Sequence, residues 1–274
     1  MRKIPWQMWT VNGLLIALAL CVAFPLLWML ATSFMVLGET ASVPPPLWPR
    51  DPTLAHYRRL LDSNGIGHAF LNSLALASAA TLISTTLNTL AGYAFAKLRF
   101  AHRDRVFALL IAALVIPGQV AMLPLFLMLK SMGLVNTWMG VLIPGMASIF
   151  GIFLVRQYAL SIPNDLLEAA RIDGAGEWRV FVDIVLPLLA PVLVTLALFA
   201  FLGSWNDFMW PLIVLTDSDL YTLPVALAAL SREHVQDVEF MMAGAVVTVL
   251  PVVLLFVVLQ RYYLQGLTLG GVKS

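Results

Sequence analysis

The chain has 274 residues, of which 61% are hydrophobic and only 11% charged, less than half of the roughly 25% charge that a water-soluble domain carries. That composition belongs in a membrane: a hydrocarbon core of about 30 Å takes about 20 residues of helix per crossing, so six crossings would use about 120 residues and exclude a second sizeable soluble domain. The net charge of +1 gives no reason to expect nucleic acid or a bulk anionic partner, and the single cysteine, Cys21, excludes an internal disulfide and a cysteine-rich metal site.

Six apolar stretches follow in chain order, over residues 11–34, 69–95, 106–129, 138–155, 188–208 and 241–263. With no need of strands, they predict an all-α membrane protein of six transmembrane helices, a single transmembrane domain over 1–274. The first stretch follows Arg2 and Lys3 as a signal peptide would, but its 24 residues exceed the usual apolar run of about 7 to 15, so it is expected to be an uncleaved first span. The first connection, residues 35–67, holds Pro44, Pro45, Pro46 and Pro49, too many prolines for continuous helix, and is expected to be extended. Residues 96–105 make a short basic turn, 156–187 a long connection, and 209–240 a loop carrying Asp217, Asp219, Glu233, Asp237 and Glu239. Inside the stretches the only formal charges are Asp207 and Arg261, both near an end where a side chain can reach the interface.

Basic residues stay on the cytoplasmic side of a membrane, so counting them by loop predicts orientation. With the N-terminus inside, Arg2, Lys3, Lys97, Arg99, Arg103, Arg105, Arg156, Arg171, Arg179, Arg261 and Lys273 lie inside, eleven in all; Arg50, Arg58, Arg59, Lys130 and Arg232 make five outside. Both termini are expected in the cytoplasm, with 35–67 and 209–240 as outer loops and 156–187 as an inner one.

Within that inner loop, residues 163–174 read PNDLLEAARIDG. Asn164 or Ser161 can cap a helix start, Asp165 and Glu168 suit the positive end of its dipole, and Gly174 suits a left-handed stop. A helix of about nine residues is marginal alone in water and needs a partner surface. Leu166, Ala170 and Asp173 are expected on one face, with Ala169 and Ala170 small enough for a neighbouring backbone to come close, so the helix reads as a docking element. After a flexible corner at Ala175-Gly176, Trp178, Phe181 and Val182 predict a second short helix along the inner interface, with Pro187 turning the chain into the fifth span.

The run Glu168-Ala169-Ala170, three residues, Gly174, nine residues, Ile184, one residue, Leu186-Pro187 matches at every specified position the EAA motif of binding-protein-dependent ABC importer permeases. The chain resembles in particular the carbohydrate class of these permeases, close to the second membrane subunit of maltose-type transporters. Weaker likenesses are spread along almost the whole chain: Asn72-Ser73-Leu74, Ala91-Gly92-Tyr93-Ala94-Phe95-Ala96, Gly133-Leu134-Val135-Asn136-Thr137, Trp205-Asn206-Asp207-Phe208 with Pro211-Leu212, Leu223-Pro224-Val225-Ala226-Leu227, and the tail Gly266-Leu267-Thr268-Leu269-Gly270-Gly271-Val272-Lys273. Residue 207 more often carries Glu in that family, a conservative departure.

The resemblance implies a permease of a prokaryotic plasma membrane that moves a sugar inward. It implies as partners a homologous second permease subunit forming a heterodimer, two copies of a cytoplasmic ATPase subunit, and an extracytoplasmic sugar-binding protein. The chain itself would bind no cofactor and no metal, ATP and Mg residing on the ATPase subunits. Glu168, Ala169, Ala170, Asp173, Gly174, Ile184, Leu186 and Pro187 would belong to the coupling helix and its continuation, and the outer loops would face the binding protein.

Asn88, Gln119, Ser204, Trp205, Asn206, Asp207 and Trp210 are candidates for the substrate pathway, because a sugar needs hydrogen-bond partners for its hydroxyls and flat rings for its C–H faces. The same residues can instead join helices or anchor them at the interface. A membrane-embedded enzyme and an ion-coupled secondary transporter are the rival classes. His56, His68, His102 and His234 show no HExxH spacing, there is no G-x-S-x-G, and no Gly-Lys dipeptide exists for a P-loop, so no residue is assigned a catalytic role. A secondary transporter would be expected to hold an ion-coupling acid near mid-membrane, whereas Asp207 is terminal. Glycerol phosphate or a sugar alcohol are the alternative cargoes.

Overall fold

The structure is a computed structural model that describes residues 6–62, 65–233 and 237–271; Arg2, Lys3, Lys273 and His234 lie outside them. Among the described residues every regular element is helical. Four helices are long and apolar enough to cross a membrane, and two bent helix pairs could supply further crossings. The long helices are α1 (Trp6–Thr32), α3 (Ile66–Lys97), the run from α9 (Glu177–Arg179) through a π-helical segment (Val180–Val185) into α10 (Leu186–Trp205), and α13 (Val238–Gly271). The bent pairs are α4 (Arg103–Ala113) with α5 (Gly118–Ser131), and α6 (Trp138–Leu142), extended by a 3₁₀ turn to Gly145, with α7 (Ile149–Leu160).

Three sequence expectations need correction. The stretch 106–129 is not one straight helix: α4 and α5 meet at 103°, because Pro117 has no N–H to donate and its ring disfavours helical backbone at Ile116. Pro187 does not turn the chain. Helix runs on from Glu177 to Trp205, and the six residues before Leu186 adopt the wider π-helical pattern, the kind of local adjustment that accommodates a proline inside a helix. The connections 35–67 and 209–240 also hold more helix than expected, in α2 (Ala55–Asp62), α11 (Met209–Val214) and α12 (Leu223–Glu233).

Two compact units emerge, residues 1–67 with 226–251, and residues 68–225 with 252–274. In the first, the segment after α1 is held by side chains. Ser33 and Tyr57 share a hydrogen bond of 2.7 Å, the buried His56 ring lies 2.9 Å from the Met35 carbonyl, and the buried Glu239 carboxylate accepts from both the Thr40 N–H and hydroxyl. Arg59 pairs with Asp237 at 2.6 Å and lies over the Phe240 ring.

The second unit has its main core where Tyr93 and Ala96 of α3, Val155 and Ala159 of α7, and Val185 and Leu189 of the π-helix and α10 pack together. Gly92 allows the approach of α7, since a β-carbon there would stand 2.6 Å from the Val155 β-carbon. Asn88 enters the break between α6 and α7: its carbonyl accepts the Ser148 N–H at 2.9 Å, and its amide nitrogen lies 3.3 Å from the Ser148 hydroxyl and 2.9 Å from that of Ser84. Breaking a helix frees backbone groups, and this buried amide satisfies one of them. Ser148 in turn caps α7 by accepting from the Gly151 N–H.

Candidate coupling helix and central cavity

The EAA residues form α8 (Asn164–Ile172), nine residues ending in a Schellman stop. The Ala175 N–H bonds the Ala170 carbonyl at 2.9 Å and the Gly174 N–H bonds that of Arg171 at 3.0 Å, with Gly174 at φ 88°. Nothing lies within 4 Å of a β-carbon built on Gly174, so glycine is needed there for its backbone conformation and not for space.

The start of α8 differs from expectation. Neither Asn164 nor Ser161 caps it: the N-cap is Pro163 with no side-chain bond, and the Ser161 hydroxyl turns back to the Tyr158 carbonyl. Instead Lys97, at the end of α3, places its ammonium 2.6 Å from the Ile162 carbonyl and 2.8 Å from Asn164 Oδ1. The face is also rotated from the one expected. Leu167 is buried in the chain's own core and Ala170 is half-buried against it, while Leu166, Glu168, Ala169 and Asp173 are exposed. Ile172 at 85% and Trp178 at 69% exposure add apolar surface beside them.

The corner after α8 is braced by Arg171, whose guanidinium donates two hydrogen bonds, at 2.7 and 3.2 Å, to the Glu177 carboxylate. That carboxylate holds the Arg171 pKa above its already high ordinary value, and the Tyr93 hydroxyl reaches the same group at 3.4 Å. Ile184 and Leu186 are half-buried against the core and Pro187 is exposed. From the sequence, Lys97, Tyr93 and Glu177 had no assigned role at this helix. Tyr93 and Lys97 are one helical turn apart at the end of α3, the spacing that puts two side chains on one face.

The same unit holds a half-open cavity of about 570 Å³. Of the pathway candidates it brings together Gln119, Ser204, Asp207 and Trp210, joined by Phe150 and Phe199, whose rings meet edge to face 6.2 Å apart. Asp207 Oδ1 accepts the Trp210 N–H at 3.3 Å, and the Trp210 ring N–H donates to the Gly140 carbonyl at 3.1 Å. Asn88, Trp205 and Asn206 are not brought to this lining. Asn88 is fully buried at the α6–α7 break, Trp205 is buried between Phe70 and Phe201, and Asn206 is exposed at the end of α10.

Asn72, Ser73 and Asn136, each in one of the short likenesses, hold the loop after α11. The Asn72 amide donates to the Asp219 and Tyr221 carbonyls, and the Ser73 hydroxyl accepts the Leu223 N–H at 2.7 Å. Asn136, at φ 59°, accepts the N–H groups of Thr216 and Asp217 at 2.9 Å each. Together these bonds fix the chain on both sides of the 3₁₀ turn Ser218–Leu220.

Comparison with known proteins shows the family. The chain is 41% identical over 205 residues, 75% of its length and 74% of the relative's, to the arabinooligosaccharides transport system permease protein AraQ of Halalkalibacterium halodurans. It is 33% identical over 278 residues, the whole of both chains, to the melibiose/raffinose/stachyose import permease protein MelC of Bacillus subtilis. Its fold is similar to that of a chain in the crystal structure of a bacterial ABC transporter involved in the import of the acidic polysaccharide alginate, with a TM-score of 0.82, 24% identity, and coverage of 96% of this chain and 99% of the other. The relatives are transport permeases and not enzymes, and the family model for the binding-protein-dependent transport system inner membrane component matches residues 88–268. Matched by that model over most of its length, the chain belongs to the family of binding-protein-dependent transport system inner membrane components.

Proposed function

We propose that this chain is a permease subunit of an ATP-driven importer that moves a di- or oligosaccharide inward, coupled to separate ATPase subunits through α8. It acts as a single transmembrane domain over residues 1–274, with six spans if each bent pair counts as one, and with both termini cytoplasmic as the basic residues imply. Its partners are a homologous second permease, two copies of the ATPase subunit, which hold ATP and Mg, and an extracytoplasmic sugar-binding protein. The named sugars of the relatives, arabinooligosaccharides and the melibiose group, support a neutral saccharide as cargo.

The observation that carries the coupling reading is the exposed surface of α8 on a fixed base. Glu168, Ala169 and Asp173 face outward beside Ile172 and Trp178, while Leu167, Lys97 and the Arg171–Glu177 pair fix the helix to its own chain. In this reading Glu168 and Asp173 offer charge to basic groups of the ATPase, Ala169 gives close approach, and Ala170, Gly174, Ile184, Leu186 and Pro187 hold the element in shape. Gln119, Ser204, Asp207 and Trp210 line the pathway, with Asn88 and Trp205 supporting its walls and Asn206 at its exposed margin.

The test uses the assembled complex in proteoliposomes. Loaded binding protein should stimulate ATP hydrolysis and drive uptake in the wild type. Gly174→Val should abolish the stimulation, because a branched side chain in left-handed backbone costs roughly 1–2 kcal/mol or more, and Glu168→Lys should lower it by reversing a charge on the docking face. Normal uptake by both variants would overturn the assignment.

A further inference from the structure

The cavity has a sign. Among the described residues that line it, Asp207 carries the only formal charge, and no lysine, arginine or histidine is present. Its other polar lining comes from neutral side chains such as Gln119, Ser73, Ser84 and Ser204. The broken helices also bring backbone charge to the lining, but in both signs: helix starts at Gly118 and Ser148, helix ends at Gly145 and Ser204. A third start, that of α11 at Met209, lies at Asp207 itself, whose Oδ1 accepts the Trp210 N–H; each end carries only about half a unit charge, so three starts against two ends leave about half a unit positive, and the Asp207 carboxylate turns the lining negative by about as much.

Recognition of a carboxylate or phosphate calls for cations or free helix N-termini, and this lining supplies no cation. Its Phe150–Phe199 pair and its hydroxyls and amide suit a molecule with apolar C–H faces and neutral hydroxyls. The volume of about 570 Å³ falls within the roughly 300–1,000 Å³ of small-molecule sites.

We infer that Asp207 makes this cavity charge-selective, admitting neutral sugars and sugar alcohols and rejecting uronate- or phosphate-bearing solutes such as glycerol phosphate. The inference deepens the sugar-permease reading and rests on it for the identity of the cargo, but the charge bias itself can be measured without transport.

Cys21 is the only cysteine of the chain, so a Cys21→Ser, Ala200→Cys variant carries one thiol, at a residue of the cavity lining. In the purified complex that thiol should react faster with a cationic methanethiosulfonate than with an anionic one of similar size. Adding Asp207→Asn, which keeps an oxygen for the Trp210 N–H, should lower this rate ratio by about tenfold, the order expected for a unit charge nearby in a partly screened site. An unchanged ratio overturns the inference.

Raffinose should also protect the thiol, while trigalacturonate should do so only in the Asp207→Asn variant. Equal protection by both in the wild type overturns the charge selection alone. If neither protects and loaded binding protein fails to stimulate ATP hydrolysis, it is the sugar reading that fails, while the reagent ratio still decides the charge bias.

Discussion

Two of the long helices reverse the rule that holds in water. In its most apolar 18-residue window α1 has a mean hydropathy of 2.6, yet only 6% of that window is buried; the corresponding window of α3 has a mean hydropathy of 1.5 and is 33% buried. The less apolar helix is the one covered by protein. In a bilayer, lipid tails are as apolar as leucine, so burial against protein brings little hydrophobic gain, and helices associate through small residues, close packing and interhelical hydrogen bonds. Residues Ser73, Ser84, Asn88, Thr89 and Gly92 of α3 are of that kind, and the four polar ones are buried. Residues 14–22 of α1, Cys21 among them, are exposed throughout.

One substitution made in both helices should break this comparison most sharply. At Gly92 a β-carbon would meet the Val155 β-carbon at 2.6 Å and the Arg156 backbone nitrogen at 3.0 Å, neither able to swing away, so Gly92→Ala should destabilise by about 1–3 kcal/mol. At Gly13 nothing lies within 4 Å, and Gly13→Ala should stabilise by about 0.5–1 kcal/mol through helix propensity alone. Thermal unfolding of the purified protein in detergent checks both. A shift of the same sign in the two variants would show that α3 is not the close-packed helix of the pair.

Asn88→Leu comes next. The side chain serves three groups across two elements, and its loss leaves the Ser148 N–H, freed by the helix break, without its acceptor. Removing one partner of a buried polar group costs about 1–3 kcal/mol. The expected result is lower thermal stability and faster amide exchange at Ser148, without a change in charge selectivity at the cavity. A selective loss of substrate stimulation at unchanged stability would instead put Asn88 in the pathway.

That dual possibility shows where the sequence is readable. The bounds of α8 and its stop are local: a helix of about nine residues was expected and Asn164–Ile172 is found, since Gly174 and the apolar spacing act over a few residues. The α4–α5 bend had a local signal in Pro117-Gly118, but averaging hydropathy over a span passes over it. The role of Asn88 and the bracing of α8 by Lys97 had no local signal, because their partners lie 60 and 65 residues away. Whether a polar residue in an apolar stretch faces a helix or a cavity is decided by packing. Gln119 and Asp207 reach the cavity while Asn88 and Trp205 join helices, although their composition promised the same.

The smallest effect belongs to α1. Leu18 is 60% exposed, and Leu18→Ala in a protein core would cost about 2–5 kcal/mol. On a helix facing lipid, the side chain contacts an equally apolar medium before and after the bundle comes apart, so the change should stay within about 0.5 kcal/mol. The measurement has two arms, the chain alone in detergent and the chain with its permease and ATPase partners. A small effect in both leaves α1 facing lipid. A loss of more than 1 kcal/mol in the assembled complex alone would make α1 a protein contact, and its low burial in the single chain would then reflect a missing neighbour and not the solvent property of the bilayer.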